Sequence, residues 1–592
     1  MWESSVRPTR PQLATPIAAA LAACKRHFIA AAIFSALLNL LYLSPTLYML
    51  QVYDRVVPSR GLATLAFLTF VLLAALGALA LLDMVRSRLL VRASVRLDRI
   101  LSGAILDATL SQPAASREGL TKQALREFDT FRQTLTGVGV LALFDAPWTP
   151  IYVLVCFIIH PALGLLALVG AAALLFLTWR NERATRARIQ SANEAANIAY
   201  VNQEFSAASA DVIRSLGMRQ AFVRRHLHER EAANLLQAQA SFAGGGYMTM
   251  TRFLRLSLQS LALGLGALLA IENKISPGAI FAASILMARA LAPIEQVLGA
   301  WRNVVQARGA FRALTSLLQH AASRRPSTLL PPPRGVLETE RLTVLAPGRQ
   351  ATILRDVSFR VEAGEAVGVV GPSGAGKSTL ARVLAGAALA DHGGVRFDGA
   401  DAKDWDPERL AQFVGFLPQA PTLFAGTVKE NIARFRTAMD EDVERIDEMV
   451  VQAAKKCGAH EMILRLGDGY ETVIGWGDKG LSAGQAQRIA LARALFGDPS
   501  VLILDEPNAH LDADGEAVLV RTLADLKAAG TTILVVAHRT GVLAAVDKLM
   551  VLQEGRLELY GPRDEVIQRI SAPAHVRPAA APAPAHVAPA AA

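Results

Sequence analysis

The stretch Gly371-Pro372-Ser373-Gly374-Ala375-Gly376-Lys377-Ser378 decides the fold of the C-terminal half of this 592-residue chain. It has the GxxxxGK[ST] spacing of a phosphate-binding loop. The apolar run 367–370 predicts a strand before the loop, and the segment from Thr379 to Gly386 predicts a helix after it. Backbone N–H groups in such a loop point at phosphate oxygens, and the helix N-terminus favours negative charge. The sequence therefore predicts an α/β domain whose residues Gly371 to Thr379 bind a nucleotide.

Polar residues with catalytic potential surround this loop in the chain. Lys377 is expected to reach the β- and γ-phosphates, and Ser378 to hold Mg²⁺. The apolar strand 501–504 ends in Asp505, which suits Mg²⁺, and Glu506, which suits a general base that orients or deprotonates the attacking water. A buried strand with an acidic end is common, but its position after a phosphate loop favours hydrolysis.

Three further features belong to the same half. Gln419 follows the run Phe416-Leu417-Pro418, and His538 follows the apolar strand 533–537. A lone Gln or His is usually structural, so a role for these two residues in the nucleotide site is inferred only because the phosphate loop and the acidic strand end are also present. The pentapeptide Leu481-Ser482-Ala483-Gly484-Gln485 lies between the loop and the acidic strand, and it contributes nothing to a monomer's own phosphate pocket. It therefore implies two nucleotide domains acting face to face.

The N-terminal half reads as a membrane domain. The chain is 52% apolar but only 6% aromatic, and the apolar residues cluster in the first half. A spanning helix needs about 20 apolar residues. Six segments qualify, at 28–50, 62–82, 138–159, 162–179, 253–271 and 278–299. The connections 51–61, 160–161 and 272–277 are short, whereas 83–137 and 180–252 are long and Arg-rich. Lys and Arg accumulate on the cytoplasmic side, which places the long connections and both termini inside.

The two long connections keep apolar residues at helical spacing, which predicts helices that continue out of the membrane. Each has a break near its middle, at Ser111-Gln112-Pro113 and at Ser215-Leu216-Gly217. Such excursions either contact a cytoplasmic partner or remain solvated helical hairpins. We favour contact, because a cytoplasmic domain follows in the same chain.

These patterns predict five regions. In chain order they are a cytoplasmic tail (1–25), a transmembrane domain of six helices (26–320), a Pro-rich linker (321–335), an α/β nucleotide-binding domain (336–570) and a disordered Ala/Pro tail (571–592).

The formal net charge of +10 is compatible with nucleic-acid binding. The arginines instead flank the apolar spans, and no basic patch interleaved with aromatic residues occurs elsewhere, so we expect no nucleic-acid partner. The three cysteines, Cys24, Cys156 and Cys457, are too far apart for a metal-binding spacing. No cleavable signal peptide is evident at the N-terminus.

With these motifs in this order, residues 336–565 resemble the nucleotide-binding domain of ATP-binding cassette (ABC) transporters. The resemblance implies ATP and Mg²⁺ as cofactors. It implies that Gln419 contacts Mg²⁺ and senses the transmembrane loops, that His538 contacts the γ-phosphate, and that Asp512 communicates across a dimer. The pentapeptide 481–485 corresponds to the family signature, which caps the ATP held by the opposite subunit. Ser482 would supply a hydroxyl donor, and a helix beginning near Gly484 would direct its positive end at the γ-phosphate.

The chain departs from the family pattern at three places. Ala483 stands where the family usually has Gly, which is tolerable if the backbone there is not at positive φ. The aromatic residue that commonly stacks on adenine is missing, and the aligned stretch 342–347 offers only Ala346. Trp476 stands where many exporters carry an acid. None of the three removes a catalytic group.

The whole chain resembles a type I ABC exporter, a six-span helical domain fused to an α/β nucleotide-binding domain. Its membrane half is similar to the protease- and lipase-exporting type I secretion ATPases. The residues that carry this similarity are 48–56 (YMLQVYDRV), Pro58-Ser59-Arg60, 143–150 (LFDAPWTP) and His160-Pro161.

This resemblance implies ATP-driven export of an unfolded polypeptide with an uncleaved C-terminal signal across the bacterial inner membrane. The implied partners are a second copy of the chain, a periplasmic adaptor, an outer-membrane channel protein, the secreted polypeptide and membrane lipid. About 25 residues precede the first span, which disfavours the leader-cleaving peptide exporters.

Two alternatives remain for the function. One is a lipid or small-molecule exporter on the same scaffold, and the other is a non-transporting cassette ATPase with a structural role. The six spans and the intact Lys377, Asp505, Glu506 and His538 argue against the second. Asp54, Arg55 and Asp145 lie at or near membrane depth, where ionisable residues are costly and often functional. Capping of a helix end is the competing explanation, and for Asp145 the two readings are equally weighted.

Overall fold

The computed structural model describes residues 16–111, 124–322, 329–346, 351–439, 442–475, 480–537 and 540–571. These residues form two compact units, one from the chain up to residue 322 and one from residue 329 onward. The break at Gln112-Pro113, residues 323–328 of the predicted linker, Trp476, His538 and the predicted disordered tail beyond residue 571 lie outside the described residues. The first two residues of the predicted linker form the end of a helix.

The first unit is helical throughout. Its helices are α1 (Pro16–Ala23), α2 (Lys25–Leu41), α3 (Ser44–Gln51), α4 (Val57–Ser59), α5 (Leu62–Leu110), α6 (Ala124–Thr136), α7 (Val138–Asp145), α8 (Thr149–Ile159), α9 (Pro161–Ala208), α10 (Ala210–Ser215), α11 (Arg219–Ile271), α12 (Pro277–Gly299) and α13 (Trp301–Ala322). Six helical stretches in the described residues are long and apolar enough to cross a membrane, which confirms the six predicted spans.

The long connections are continuations of the spanning helices, as the helical spacing predicts. Helices α5, α9 and α11 have 49, 48 and 53 residues, far more than a bilayer needs. The excursion between α9 and α11 breaks at 216–218, which confirms the predicted turn, and it also breaks at Ser209. The other excursion ends its first helix at Leu110, immediately before the predicted break.

Two spans differ from the prediction. The stretch 51–61, predicted as a connection, is helical to Ser59, because one π-helical turn (Val52–Val56) carries the chain through it. Such a turn inserts one residue without ending the helix. The third span, predicted as continuous over 138–159, is interrupted by a 3₁₀ turn at Ala146–Trp148, where Pro147 lacks the N–H that an α-helix requires.

The second unit is a layered α/β domain. Its strands are β1 (Leu337–Leu345), β2 (Thr352–Val361), β3 (Ala366–Val370), β4 (His392–Phe397), β5 (Ala400–Asp401), β6 (Val414–Leu417), β7 (Gly426–Thr427), β8 (Val473–Ile474), β9 (Val501–Asp505), β10 (Thr532–Val536), β11 (Lys548–Gln553) and β12 (Arg556–Pro562). Its helices are α14 (Lys377–Leu384), α15 (Pro407–Phe413), α16 (Val428–Ile432), α17 (Val443–Lys456), α18 (His460–Leu464), α19 (Ala483–Leu495), α20 (Ala513–Ala528), α21 (Thr540–Leu543) and α22 (Arg563–Ser571).

The strands form an antiparallel sheet in the order β2-β1-β4-β5 and a six-stranded sheet in the order β12-β11-β3-β10-β9-β6. A pair, β7-β8, stands apart. In the six-stranded sheet all neighbours are parallel except β11 and β12. One hydrophobic core fills the space between the two sheets and around α14, and a second packs α16 to α20 against the other face of the parallel strands.

The parallel strands determine where the site lies. Strands β3, β10, β9 and β6 are consecutive neighbours, so their carboxyl ends meet at one edge of the sheet. Ligands of open α/β sheets bind at this edge, in the loops that follow the strands. The phosphate loop leaves β3 here, Asp505 ends β9, and Gln419 comes two residues after the end of β6.

Candidate functional site

The phosphate loop joins β3 to α14, as the sequence predicts. Helix α14 begins at Lys377, and its N-cap, Gly376, has φ of +96°, a conformation that glycine adopts without steric cost. The Lys377 side chain is buried, with 5% of the residue exposed. Its Nζ donates to the carbonyl oxygens of Gly371 and Pro372, both at 2.9 Å. The ammonium is thus held over the loop, close to where the backbone N–H groups of a helix N-terminus favour phosphate.

Ser378 and Asp505 meet across the sheet edge. The Ser378 hydroxyl donates to Oδ1 of Asp505 at 3.2 Å, and Asp505 is only 2% exposed. Two oxygens on neighbouring positions of an octahedral Mg²⁺ site, with bonds of about 2.1 Å, lie about 3 Å apart. The hydroxyl and carboxylate present in the structure therefore fit the predicted metal.

Burial sets the electrostatics of this site. It lowers the pKa of Lys377, while the carboxylates of Glu506 and Asp505 act in the opposite direction. Burial likewise raises the pKa of Asp505, the Ser378 hydrogen bond opposes this, and the charge of Glu506 raises it further. Both carboxylates crowd one edge of the sheet, so a cation there would relieve the cost of ionising them.

Glu506 has an unusual backbone. Its φ is +51°, in the left-handed region that non-glycine residues rarely enter. Its N–H donates to the carbonyl of Val536 at 3.0 Å, and its carbonyl accepts from the N–H of Ala509 at 3.2 Å. Neighbouring strands and the following turn thus hold the chain in this conformation. Such local strain is typical of functional positions.

Two other predicted residues follow neighbouring strands. Gln419 is exposed and comes after Leu417, which pairs with Leu504 of β9, one residue before Asp505. His538 lies outside the described residues. The residue before it, Ala537, donates its N–H to the carbonyl of Val369 at 3.3 Å, so the chain reaches the same edge of the sheet.

The pentapeptide 481–485 forms the start of α19. Ser482 is the N-cap: its Oγ accepts from the N–H of Gln485 at 3.2 Å, and the Gln485 Oε1 accepts from the N–H of Ser482 at 2.8 Å. This is a capping box, which stabilises the helix start and leaves the Ser482 hydroxyl proton available to donate. The helix begins one residue earlier than predicted, at Ala483.

Ala483 causes no backbone strain, because it is the first residue of the helix and does not have positive φ. Gly484 has a steric reason to be glycine. A Cβ there would lie 3.0 Å from the carbonyl oxygen of His510.

The structure adds two residues that no sequence motif marks. The Nε2 of Gln487, which is 1% exposed, donates to the carbonyl of Pro507 at 3.1 Å. Arg488 Nη2 donates to Asp512 Oδ1 at 3.2 Å. Both lie on α19 and both bind the segment that follows Glu506. Their position just after the pentapeptide is the only sequence signal that could have identified them.

Asp512, predicted to communicate across a dimer, has a local role in the structure. It is the N-cap of α20, where its Oδ1 accepts from the N–H of Gly515 at 2.9 Å. Together with Arg488, it connects α20 to α19. The signature helix and the segment carrying Asp512 are therefore joined within one chain.

In the first unit, Asp54 caps a helix. Its Oδ2 accepts from the Ser276 hydroxyl at 2.5 Å, and its Oδ1 accepts from the N–H of Gly278 at 2.7 Å, both at the start of α12. Asp54 lies in the π-helical turn, next to Tyr53, whose ring stacks on Phe281 at 4.3 Å. Of the two readings left open by the sequence, helix capping describes Asp54.

Asp145 belongs to a buried group that we call the membrane polar cluster, made of Ser35, Asn39, Arg86, Asp145 and Tyr152. Asp145 Oδ1 accepts from Asn39 Nδ2 at 2.8 Å and from Arg86 Nη1 at 3.3 Å. Arg86 Nη1 also donates to Ser35 Oγ at 2.9 Å, and the Tyr152 hydroxyl donates to the carbonyl of Asn39 at 2.8 Å. Asp145 makes no cap hydrogen bond to the helix turn that follows it.

This cluster corrects one sequence-based interpretation. Arg86 belongs to the Arg-rich connection 83–137, which the sequence predicts to flank a span, but it is buried, with 6% exposed. It links α2, α5 and the end of α7, because its partners come from all three helices. Its Nη2 also pairs with Asp83 at 2.6 Å.

Of the remaining departures from the family pattern, the structure describes Ala346, which stands where an aromatic residue commonly stacks on adenine. The backbone N–H of Ala346 donates to the carbonyl of Ala351 at 2.7 Å, at the end of the antiparallel strands β1 and β2. This places Ala346 at the end of the antiparallel strand pair, and residues 347–350 are outside the described residues. Trp476 is outside them as well.

Comparison with known families and proteins agrees with this architecture. Residues 28–293 match the family model of the ABC transporter transmembrane region, and residues 354–509 match the ABC transporter model. The solved structure of a bacterial Atm1-family ABC exporter with ATP bound is similar over 95% of this chain and 100% of that one. Its TM-score is 0.78 at 21% identity, which shows a common fold.

Curated relatives are similar over nearly the full length. The type I secretion system ATP-binding protein PrsD of Rhizobium meliloti is 42% identical, over 94% of this chain and 95% of that protein. The cyclolysin secretion/processing ATP-binding protein CyaB of Bordetella pertussis is 31% identical, over 92% of this chain and 76% of that protein. The chain therefore belongs to the ABC transporter family, as a membrane-embedded exporter ATPase of the type I secretion group.

Proposed function

We propose that this chain is the ATP-hydrolysing permease of a type I secretion system, which exports unfolded polypeptides carrying an uncleaved C-terminal signal. The observation that carries the proposal is the 42% identity, over nearly the whole of both chains, to a type I secretion ATP-binding protein. The named cargoes of other relatives, such as cyclolysin and leukotoxin, are polypeptides. No observation in the membrane half favours the alternative, a lipid or small-molecule cargo.

We place the protein in the bacterial inner membrane as a homodimer, with the nucleotide domains and both termini in the cytoplasm. A periplasmic adaptor and an outer-membrane channel protein would complete the path. The predicted domain boundaries at 26–320 and 336–570 remain part of this proposal, as do the roles of the site residues.

ATP is bound by the loop 371–379, whose backbone N–H groups and Lys377 neutralise the phosphates. Mg²⁺ would be held by Ser378, Asp505 and Gln419, and when bound it neutralises charge on the phosphate oxygens. Glu506 accepts a proton from the attacking water, a role that contributes about 100-fold to 10,000-fold in rate. His538 donates to the γ-phosphate.

The second copy completes each site. Its Ser482 hydroxyl and the N-terminus of its α19 approach the γ-phosphate from the opposite side. ATP thereby joins the two nucleotide domains, and hydrolysis removes the γ-phosphate contacts that hold them together. Closing a two-state equilibrium from 1:99 to 99:1 takes about 5.5 kcal/mol, which two such sites would share.

The experiment that tests the function is a comparison of secreted proteins. The gene is deleted in the organism of origin, and the proteins of the culture medium are quantified by mass spectrometry. We expect one or a few proteins to disappear and to return with the wild-type chain, but not with Glu506→Gln. An unchanged set of secreted proteins, together with altered lipid or small-molecule export, would contradict the proposal.

A further inference from the structure

A cavity of about 770 Å³ lies within the first unit. It is a half-open cleft lined by α6 and α7 on one side, by α11 at Met248, and by the end of α12 and the start of α13. These are the ends of the third and sixth spans that face the cytoplasm in the proposed topology. The proposed ATP chemistry uses none of the residues that line this cavity.

The polar lining consists mainly of carboxamides, and we call the space the amide cavity. Gln133, Gln296, Asn303 and Gln306 contribute their side chains. Gln306 Nε2 donates to Asn193 Oδ1 at 3.2 Å. Within the described residues the side-chain amides of the other three have no hydrogen-bond partner. All three residues are exposed, so their donor and acceptor groups are accessible to a ligand that enters the cleft.

Charge is almost absent from the lining. Among the described residues that line it, Glu295 is the only ionisable side chain, and Arg255 Nε lies 2.6 Å from the Glu295 carboxylate. The hydroxyls of Thr130 and Thr134 donate to carbonyl groups of their own helix. The described lining therefore offers an anionic phosphate group no free cation, which disfavours a lipid headgroup.

Small residues, Gly137, Gly139, Gly299 and Ala300, form part of the wall beside the amides. A Cβ at Gly139 would lie 3.2 Å from Ala300 Cβ, and one at Gly299 would lie 3.4 Å from Met248 Cε, so these glycines allow close packing of the helices around the cleft. The cavity therefore combines space, hydrogen-bonding capacity in both directions and near neutrality.

We propose that the amide cavity binds the extended main chain of the polypeptide cargo, an inference that rests on the proposed function. Each peptide group carries one donor and one acceptor, and a carboxamide carries both, so Gln and Asn can pair with a main chain in either direction. Such pairing is independent of the cargo's side chains. It suits a cargo that presents a changing sequence as it passes.

The test measures peptide binding to the full-length protein in lipid nanodiscs. The probe is a fluorescein-labelled peptide of about twenty residues made of Gly, Ser and Asn, whose chain is flexible, unstructured and free of charged side chains. Fluorescence anisotropy gives its affinity for the wild type and for the triple variant Gln133→Leu/Gln296→Leu/Asn303→Leu. We expect the triple variant to bind at least about tenfold more weakly, because three hydrogen-bonding groups are lost.

A matched control and a matched probe sharpen this test. Gln190→Leu makes the same change at an exposed position of α9 outside the cavity, where Gln190 contacts only Glu194, and it should keep wild-type affinity. A second peptide, with each Gly replaced by N-methylglycine, lacks most main-chain N–H donors. It should bind the wild type weakly if the main chain is what the cavity recognises.

A second measurement does not depend on the triple variant folding. A peptide with one terminal cysteine, activated as its mixed disulfide with 2-nitro-5-thiobenzoate, should at low concentration form a disulfide with Gln296→Cys but not with Gln190→Cys. The protein thiol attacks the mixed disulfide and thionitrobenzoate leaves, so no further oxidant is needed. Basal ATPase activity of each variant reports that the protein is intact.

Three results would overturn the inference. The first is wild-type affinity in the triple variant, with no disulfide at position 296. The second is a disulfide between position 296 of two copies that the peptide does not compete with, since the cavity would then be a contact between subunits. The third is absence of peptide binding to the wild type. That third result, combined with an unchanged set of secreted proteins after gene deletion, would also remove the proposed function, whereas the first two leave it intact.

Discussion

Asp505 and Asp145 are two carboxylates with little solvent exposure, and they differ in the groups that balance their charge. Asp505 of the nucleotide site accepts a hydrogen bond from the Ser378 hydroxyl, and burial raises its pKa. Asp145 of the membrane polar cluster accepts from both Arg86 and Asn39. The charge of Asp505 is available to a cation that the protein must bind, whereas the charge of Asp145 is balanced by Arg86 within the protein. A buried charge is therefore functional in different ways, as a ligand site or as a link between helices.

The largest expected effect is at the nucleotide site. Glu506→Gln should reduce ATP hydrolysis about 100-fold or more, because an amide cannot accept the proton of the attacking water. ATP binding should persist, since the phosphate loop is unchanged. Phosphate release and binding of radiolabelled ATP measure the two quantities. Glu554→Gln is a suitable control, because Glu554 is an exposed glutamate that also has positive φ, at 47°. Normal turnover in Glu506→Gln would show that the base is another residue.

The next largest effect is expected when Asp145 of the membrane polar cluster is replaced by a neutral residue. Asp145→Asn keeps an acceptor for Asn39 but leaves the half-exposed Asp83 as the remaining acidic partner of Arg86, and loss of one partner of a buried pair costs up to about 3–5 kcal/mol. We expect secretion to fall about tenfold while basal ATPase activity stays within about twofold, because the cluster links α2, α5 and α7 and touches no nucleotide group.

Asp83→Asn is the matched control for that variant. Asp83 also pairs with Arg86, but its side chain is 53% exposed, compared with 15% for Asp145. Exposed pairs contribute about 0–1 kcal/mol, so this variant should secrete normally. Equal loss of secretion and ATPase activity in Asp145→Asn, or no loss of either, would contradict the assigned role.

A smaller effect is expected for thermal stability at Asp505, where the substitution should stabilise the protein rather than impair it. The pKa of Asp505 is raised in the folded protein, so its contribution to stability is present below its ordinary pKa and is lost as the pH rises through the folded value. Without nucleotide and Mg²⁺, Asp505→Asn should therefore melt at a higher temperature than the wild type at pH 7.5. The difference should vanish near pH 4, as followed by tryptophan fluorescence. A variant that melts lower at pH 7.5 would show that the carboxylate is stabilised by its neighbours.

The smallest effect is expected at Ala483. Glycine at the start of a helix interior costs about 0.5–1 kcal/mol relative to alanine, which corresponds to at most about fivefold in an equilibrium. Ala483→Gly should change ATP affinity and the population of closed dimer by no more than this, measured in the Glu506→Gln background. Identical values would make Ala483 neutral, and a much larger change would show that its methyl group contacts the second copy.

The nucleotide site was largely predictable from the sequence. Its residues fall at the ends of adjacent parallel strands, and short motifs mark these ends, so Lys377, Ser378 and Asp505 could be assigned before their contacts were known. The left-handed backbone of Glu506 was not predictable, because it depends on a hydrogen bond to Val536 on the neighbouring strand.

The membrane half was predictable at a coarser level. Hydropathy located the six spans, because about 20 apolar residues are required to cross a bilayer. Periodicity does not reveal the helix through 52–59 or the 3₁₀ turn at 146–148. The partners of Asp145 lie 59 and 106 residues away in the chain, and no local pattern connects them. The amide cavity likewise joins residues from five helices.

The central claim is the composite nucleotide site, in which Ser482 of one copy contacts the ATP held by the phosphate loop of the other. Two differently tagged copies can be co-expressed and the mixed dimer purified, with Lys377→Ala in one copy and Ser482→Arg in the other. Both lesions then fall in one composite site, so we predict roughly half of the wild-type ATPase activity per dimer if the sites act independently. Placing both lesions in one copy damages both sites and should abolish activity. The reverse pattern, with activity lost when the lesions are separated and kept when they share one copy, would show that Ser482 serves its own chain and would contradict the account.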